Sequence, residues 1–284
     1  MAAPDAFRPR RSCLYMPGSN ARAIEKARGL DADVLIFDLE DAVAPDAKAA
    51  ARDHVVEAVR GGGFGRREIV VRVNAADTEW GADDLAAVAA AKPDAILLPK
   101  VKGAADLAAI DAGGVPLWAM VETSAAILAI GEIGAVDGLA AFVMGTNDLA
   151  LEMRAETGEG REAFLFALSA CVTAARAHGC AAIDGVFNDV ADEDGLFAEC
   201  AQGRRLGFDG KSLIHPAQLE AANTAFAPSA EAVERARKVI AAFDAPENAG
   251  KGVLKVDGRM TELLHLEEAR RTVAMIEAIA DRRV

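Results

Sequence analysis

Glu122 and Asp148 each follow a short apolar run, Leu117–Val121 for the first and Ala141–Met144, then Gly145-Thr146-Asn147, for the second. Two carboxylates with no His or Cys beside them suit a hard divalent cation rather than zinc. Such an ion keeps water ligands and leaves positions for substrate oxygens. The competing reading is that each caps a helix or pairs with Arg72 or Lys100. Arg72, in Val71-Arg72-Val73-Asn74, offers a fixed fork of donors that suits a carboxylate or an enolate oxygen. It could equally form a structural pair with Asp38 or Glu40. The run Asp38-Leu39-Glu40-Asp41 holds more acids than one metal needs beside Glu122 and Asp148, so Glu40 and Asp41 are read as orienting Arg72 or waters on the metal. Lys100, after Leu98-Pro99, raises the idea of a Schiff-base lysine, but its acid-rich neighbourhood would keep it charged and favours an ion pair. His215, ahead of Pro216, reads as a cap or packing residue rather than a catalyst.

These residues need a frame that brings strand ends together. Eight β-type runs recur along the chain: Cys13–Met16, Val34–Leu39, Ile69–Val73, Ala95–Leu98, Leu117–Val121, Ala141–Met144, Cys180–Ile183 and Ser212–Ile214. Runs such as Val34-Leu35-Ile36-Phe37 are apolar throughout, as expected of a strand covered on both faces. Helix candidates lie between them: Ala21–Gly29, Ala47–Arg60, Ala82–Ala91, Ala104–Ala109, Ala125–Ile133, Glu162–His178 and Asp194–Leu206. Gly179 and Gly207 stand where a left-handed residue closes a helix. Regular alternation to a count of eight predicts an α/β fold of the TIM (β/α)8 type, with a doubly wound sheet as the runner-up. Met16-Pro17-Gly18-Ser19-Asn20 follows the first strand, where a dinucleotide fold would carry GxGxxG. In a barrel the active site collects at the C-terminal strand ends. That is where Asp38, Arg72, Lys100, Glu122, Asp148 and Asp184 fall.

Past Pro228 the pattern changes. Ser229 caps a helix running to about Phe243, a polar stretch Glu247–Gly258 follows as a hairpin-like link, and an amphipathic helix runs from about Glu262 to Arg282. The expected organisation is a catalytic barrel over residues 1–227 and a C-terminal helical extension over 228–284, acting as a lid or subunit arm.

At 284 residues, just over half of them apolar, the chain can bury a core without disulfides or metal staples. A formal charge of −13 argues against nucleic acid or an anionic membrane as partner. The four cysteines form no CxxC and no zinc-type spacing with the four histidines, so they read as buried thiols in a reducing cytosol. Met1–Arg11 has no apolar leader-like core and no apolar run approaches membrane-spanning length, so the expected location is cytoplasmic.

The motifs together carry a resemblance. Arg11-Ser12-Cys13-Leu14-Tyr15-Met16-Pro17-Gly18, Phe37-Asp38-Leu39-Glu40-Asp41-Ala42-Val43, Val71-Arg72-Val73-Asn74, Leu98-Pro99-Lys100, Val121-Glu122-Thr123, Gly145-Thr146-Asn147-Asp148-Leu149, Gly207-Phe208-Asp209-Gly210-Lys211 and Ile214-His215-Pro216-Ala217-Gln218 resemble, in order, the citrate lyase beta-subunit-like (HpcH/HpaI aldolase/citrate lyase) family of CoA-ester lyases. That family includes malyl-CoA and citramalyl-CoA lyases and a malyl-CoA thioesterase. The short chain and Gly-Thr-Asn-Asp-Leu-Ala look most like the thioesterase branch. The resemblance implies a homo-oligomer, a trimer or hexamer, that binds magnesium (manganese as substitute) through Glu122 and Asp148. Arg72 would hold the acyl oxygen of a CoA thioester. The segment Pro17–Lys26 would meet the coenzyme through Pro17 and Ser19, with Arg22 and Lys26 facing its phosphates.

One departure bears on the reaction. The lyases complete their site with an Asp from a neighbouring subunit's C-terminal segment, in a motif ending Met-x-Asp. Here Met260-Thr261-Glu262 stands in that place. The extra methylene would move the carboxylate by about 1 Å, enough to matter for a positioned base, and could aim it at a water beside the thioester carbonyl. Alternatively Glu262 is only a charge at a helix N-terminus. The leading reading is magnesium-dependent hydrolysis of a malyl-CoA-type thioester to malate and CoA. The alternatives are reversible carbon–carbon cleavage of malyl-, methylmalyl- or citramalyl-CoA at the same site, a pyruvate-type class II aldolase without CoA, and a non-catalytic CoA-binding subunit.

Overall fold

Eight parallel strands close on themselves in sequence order: β1 Ser12–Pro17, β2 Val34–Asp38, β3 Glu68–Arg72, β4 Ala95–Leu98, β5 Leu117–Val121, β6 Leu139–Met144, β7 Ala181–Asp184 and β8 Gly210–Leu213. The last pairs with the first through Ser12↔Lys211, Cys13↔Ser212 and Leu14↔Leu213. The computed structural model describes residues 8–156 and 158–281. The N-terminal residues 1–7, part of the stretch read as lacking a leader, and Arg282, the expected end of the last helix, lie outside them. Among the described residues no helix is long and apolar enough to cross a membrane.

The two-residue period of the strands divides the side chains between two cores. Cys13, Val34, Ile36, Val70, Leu97, Trp118, Met120, Val143 and Ile183 fill the barrel interior. Their neighbours, among them Leu14, Leu35, Phe37, Val71, Ile96, Ala119, Phe142, Ala182 and Leu213, pack outward against the helices. This is why the strands read as unbroken apolar runs: both faces are covered. It also fixes which strand-end residues can reach the mouth. Asp38 follows Ile36 by two, Arg72 follows Val70, and Glu122 follows Met120, so all three continue the interior face.

Several boundaries differ from the sequence reading. The expected helix Ala125–Ile133 breaks at Ala129 into Ser124–Leu128 and Ile130–Gly134, which re-phases the turns so that Ile127, Ile130 and Ile133 are all buried. The helix expected from Glu162 starts at Leu165, because Gly160 and Arg161 adopt positive φ in the preceding 3-10 segment. β8 begins at Gly210 rather than Ser212, since Gly210 pairs with Ile183 of β7 and Lys211 with Ser12 of β1. Helices Thr146–Met153 and Leu219–Phe226 complete the barrel's outer layer.

By internal contacts the chain divides into two compact units, with Arg10–Phe226 forming the barrel and Ala227 opening the second. In the second unit, helix Ala230–Asp244 starts at Ser229, whose Oγ accepts from Ala232 N at 3.1 Å. An antiparallel hairpin follows, β9 Val253–Val256 and β10 Arg259–Glu262. Its turn is Asp257-Gly258, both at positive φ, as a tight two-residue turn requires. The final helix, Leu263–Asp281, packs Leu266 and Ala269 on Ala236 and Val239. Glu262 is therefore the last residue of β10, one position before that helix.

Candidate active site

The end of β2 is wrapped around a carboxylate. Asp38 is fully buried and accepts from the backbone N–H of Glu40 at 2.9 Å and of Ala42 at 3.1 Å, so the loop turns back over the strand end. Lys48, itself buried, ties down the same loop by donating to the carbonyls of Leu39 and Glu40 at 3.0 and 2.9 Å. Arg72, next to Asp38 across the sheet, lays Nε and Nη2 on its two oxygens at 2.7 and 2.6 Å, and brings Nη1 to 2.8 Å from Glu40 Oε2. Asp41 is the outermost member, 3.7 Å from Nη1. The Tyr15 ring lies under the guanidinium at 4.8 Å, and the Tyr15 hydroxyl donates to Met120 Sδ. Arg72 is thus held on three sides, while Nη1 and Nη2 each keep a second N–H. The structural ion pair with Asp38 and Glu40 is present in this geometry.

The electrostatics follow from burial. Desolvation pushes the Glu40 carboxyl up to about 7, with Arg72 pulling against it and Asp41 adding repulsion. Burial alone would lower Arg72, but the surrounding Tyr15, Asp38 and Glu40 hold it well above its ordinary value. Glu122 is also raised, chiefly by burial, against the pull of the Lys100 backbone N–H and its ammonium.

Glu122 emerges from β5 almost entirely buried, 1% exposed, and Oε1 accepts from Lys100 N at 2.6 Å. Asp148 lies in the first turn of helix Thr146–Met153, where a negative charge suits the helix dipole. Between them stands Lys100 Nζ, 2.6 Å from Asp148 Oδ1 and 3.7 Å from Glu122 Oε1. Gly145, the cap of that helix, must be glycine because a Cβ there would overlap the Glu122 side chain. One cationic group therefore already sits between the two acids. Among the described residues no group of three or more His, Cys, Asp and Glu is arranged so that it could hold a metal ion by itself. The set is two oxygen-donor carboxylates, one fixed and dry, the other half-exposed. That fits a magnesium-type ion, which accepts few protein ligands and keeps its waters, and gives nothing a zinc site would use. The Schiff-base idea for Lys100 does not hold up: although burial lowers it, the bond to Asp148 and the Glu122 charge leave its ammonium more firmly protonated than usual.

Asp184 is a correction. Because Ile183 faces the interior, Asp184 faces the helices. There it receives Arg161 Nη1 at 2.8 Å and lies 3.7 Å from Lys211 Nζ, which is itself bonded to Glu199 at 2.6 Å. This buried charge cluster is structural. His215 caps the turn Pro216–Gln218, its Nδ1 accepting from Ala217 N at 3.1 Å. Pro17 ends β1. Ser19, Arg22 and Lys26 are exposed, with the last two on helix Ala21–Ala27 at a spacing of four, on one face. Glu262, in the other unit, is exposed, and its backbone N–H donates to His265 Nδ1 at 3.0 Å. All four cysteines are free and buried, and burial pushes the Cys13 thiol well up. Sequence reading missed Tyr15 and Lys48. Tyr15 could have been found from its alternation with Cys13 on the interior face, whereas Lys48 carried no comparable signal.

The sequence profile of the HpcH/HpaI aldolase/citrate lyase family matches residues 11–216. A (3S)-malyl-CoA thioesterase of Cereibacter sphaeroides is 53% identical over 274 residues, 96% of each chain. An L-malyl-CoA/beta-methylmalyl-CoA lyase of the same species is 36% identical over 311 residues, 98% of each chain. The solved structure of CitE from Mycobacterium tuberculosis, in complex with magnesium, acetoacetate and coenzyme A, superimposes with a TM-score of 0.78 at 31% identity, covering 97% of this chain and 99% of that one. With the family profile spanning residues 11–216 of the closed barrel and relatives matching along nearly the whole length, this chain belongs to the HpcH/HpaI aldolase/citrate lyase family.

Proposed function

We propose that this protein is a magnesium-dependent hydrolase of a malyl-CoA-type thioester, releasing malate and coenzyme A. The observation that carries the reading is the 53% identity to a (3S)-malyl-CoA thioesterase along nearly the whole of both chains. The pair of oxygen donors beside Arg72 supports it. Glu122 and Asp148 are the residues that would hold the metal. Magnesium there supplies Lewis-acid polarisation of the acyl oxygens. Arg72, locked by Asp38, Glu40 and Tyr15, points its remaining N–H groups at the thioester oxygen and stabilises the charge that grows on it. Glu40 and Asp41 keep Arg72 in that orientation.

Glu262 of a neighbouring subunit takes a proton from water as its oxygen attacks the thioester carbonyl. The carbon–sulfur bond then breaks, and the departing thiolate receives the proton. Ser19, Arg22, Lys26 and the Pro17 turn meet the coenzyme, the two cations lying against its phosphates. The same reading makes the protein a homotrimer, or a hexamer built from trimers, and places it in the cytoplasm, where its four free buried thiols stay reduced.

The second reading is reversible carbon–carbon cleavage at the same site, favoured by the 36% identity to a malyl-CoA lyase. Incubation of malyl-CoA with enzyme and magnesium separates the two. Malate with free CoA is the expected product pair, and glyoxylate with acetyl-CoA would overturn hydrolysis. Loss of turnover on chelation, restored by magnesium, tests the metal, and light scattering of the eluted protein tests the oligomer.

A further inference from the structure

Lys100 engages both candidate metal ligands at once, by two different groups. Its backbone N–H fixes Glu122 Oε1 at 2.6 Å, and its ammonium holds Asp148 Oδ1 at 2.6 Å while lying 3.7 Å from the same Glu122 oxygen. To do so it adopts φ of +53°, in the left-handed region that disfavours a side chain. A strained backbone at a site of this kind persists only where surrounding contacts enforce it. Here the enforced result is a single positive group between two acids. The ammonium is one third exposed and Asp148 is 40% exposed, so the contact between them can be exchanged with solvent, whereas the backbone bond to buried Glu122 is not easily given up.

We propose that Lys100 is the built-in counter-cation of the metal site: its ammonium occupies the space between Glu122 and Asp148 until a divalent ion displaces it, and so sets the affinity for that ion. Without such a cation the two acids would repel, and Asp148 would turn to solvent. With it, the pair stays assembled but must be vacated before metal can enter. In its present position the ammonium also feels the charge of Glu40. The arrangement favours a site that fills readily when substrate oxygens add their own ligands and less readily before.

The test uses the full-length protein and Mn2+ as the probe, with binding followed by loss of the free-ion paramagnetic resonance signal. Lys100→Gly keeps the left-handed turn and the N–H to Glu122 but removes the ammonium. We expect it to bind Mn2+ about tenfold more tightly than wild type, since a half-exposed ion pair and a like charge beside the ion are both removed. Lys100→Arg, which retains the cation, should stay near wild type. An unchanged or weaker affinity in Lys100→Gly overturns the inference.

A second measurement needs no variant. Acetylation of Lys100, read by peptide mass spectrometry, should rise several-fold when magnesium is added, and a constant or reduced yield counts against displacement. The inference rests on the metal assignment above. Wild type that binds no Mn2+ defeats both, whereas wild type that binds Mn2+ with Lys100→Gly no tighter defeats this one alone.

Discussion

Asp38 and Arg72 are direct neighbours in the register of β2 and β3, and they meet as carboxylate and fork, Oδ1 to Nε at 2.7 Å and Oδ2 to Nη2 at 2.6 Å. The pair is buried, so neither member is free to rotate away, and the guanidinium plane is set by the sheet itself. A donor aimed in this way needs no reorganisation when charge appears on a substrate oxygen.

Arg72→Lys keeps the charge but loses the fork. We expect kcat/KM for malyl-CoA to fall by about 10²–10³, the usual effect of losing one positioned oxyanion donor. Denaturation should show a loss of about 1–3 kcal/mol from the unsatisfied Asp38 oxygen. Steady-state kinetics beside urea unfolding separate the two effects, and unchanged kcat/KM would remove Arg72 from the chemistry.

Glu40 makes stability depend on pH with a definite sign. Its folded carboxyl titrates at about 7, above the ordinary carboxylate value of 4.5. Below pH 4.5 both states are protonated and its contribution is fully present. As pH rises toward 7 the unfolded state ionises first, and stability is lost, by up to about 3 kcal/mol through linkage. Urea midpoints taken from pH 5 to pH 8 should therefore fall more steeply in wild type than in Glu40→Gln. Parallel profiles would show that Glu40 is ionised throughout, held so by Arg72.

Gly145→Ala places a methyl group against Glu122. The overlap should cost about 1–3 kcal/mol of stability, as overpacking does. Because Glu122 must shift to relieve it, Mn2+ affinity should weaken as well. Calorimetric unfolding and a metal titration on the same preparation check both, and full stability with normal metal binding would show that the space is not shared.

Glu262→Gln removes a proton acceptor at constant size. Hydrolysis of malyl-CoA should drop by about 10²–10⁴, the range for a general base, with little change in metal affinity. Glu262→Asp should shift the products toward glyoxylate and acetyl-CoA. Chromatographic product analysis decides, and an undiminished hydrolysis rate in Glu262→Gln would assign the base elsewhere.

The barrel was legible because most of its strands, such as Val34–Asp38 and Ala95–Leu98, are apolar on both faces, a pattern that survives without any knowledge of contacts. Arg72, Lys100, Glu122 and Asp148 were legible because a charge at the end of such a run needs a reason. Asp184 shows what that logic omits. The two-residue period was already in the sequence, and continuing it from Ile183 turns Asp184 away from the interior. Its partner Arg161 lies 23 residues away, in a segment whose left-handed backbone no propensity indicates. Tyr15 meets Arg72, and Lys48 meets Leu39 and Glu40, through the closure of the barrel and the fold of one loop. Those pairings come from tertiary geometry, which composition and periodicity do not encode.

The cations at the mouth have a consequence for how an anionic substrate arrives. Arg72 and Lys100 are each matched by at least two carboxylates, in a chain of formal charge −13, so they project little field beyond the strand ends. A polyanionic thioester then approaches against a repulsive potential. Its capture rate should rise, not fall, when ionic strength is increased, because screening weakens the repulsion over distances beyond about 10 Å at 0.1 M salt while the short contacts inside persist.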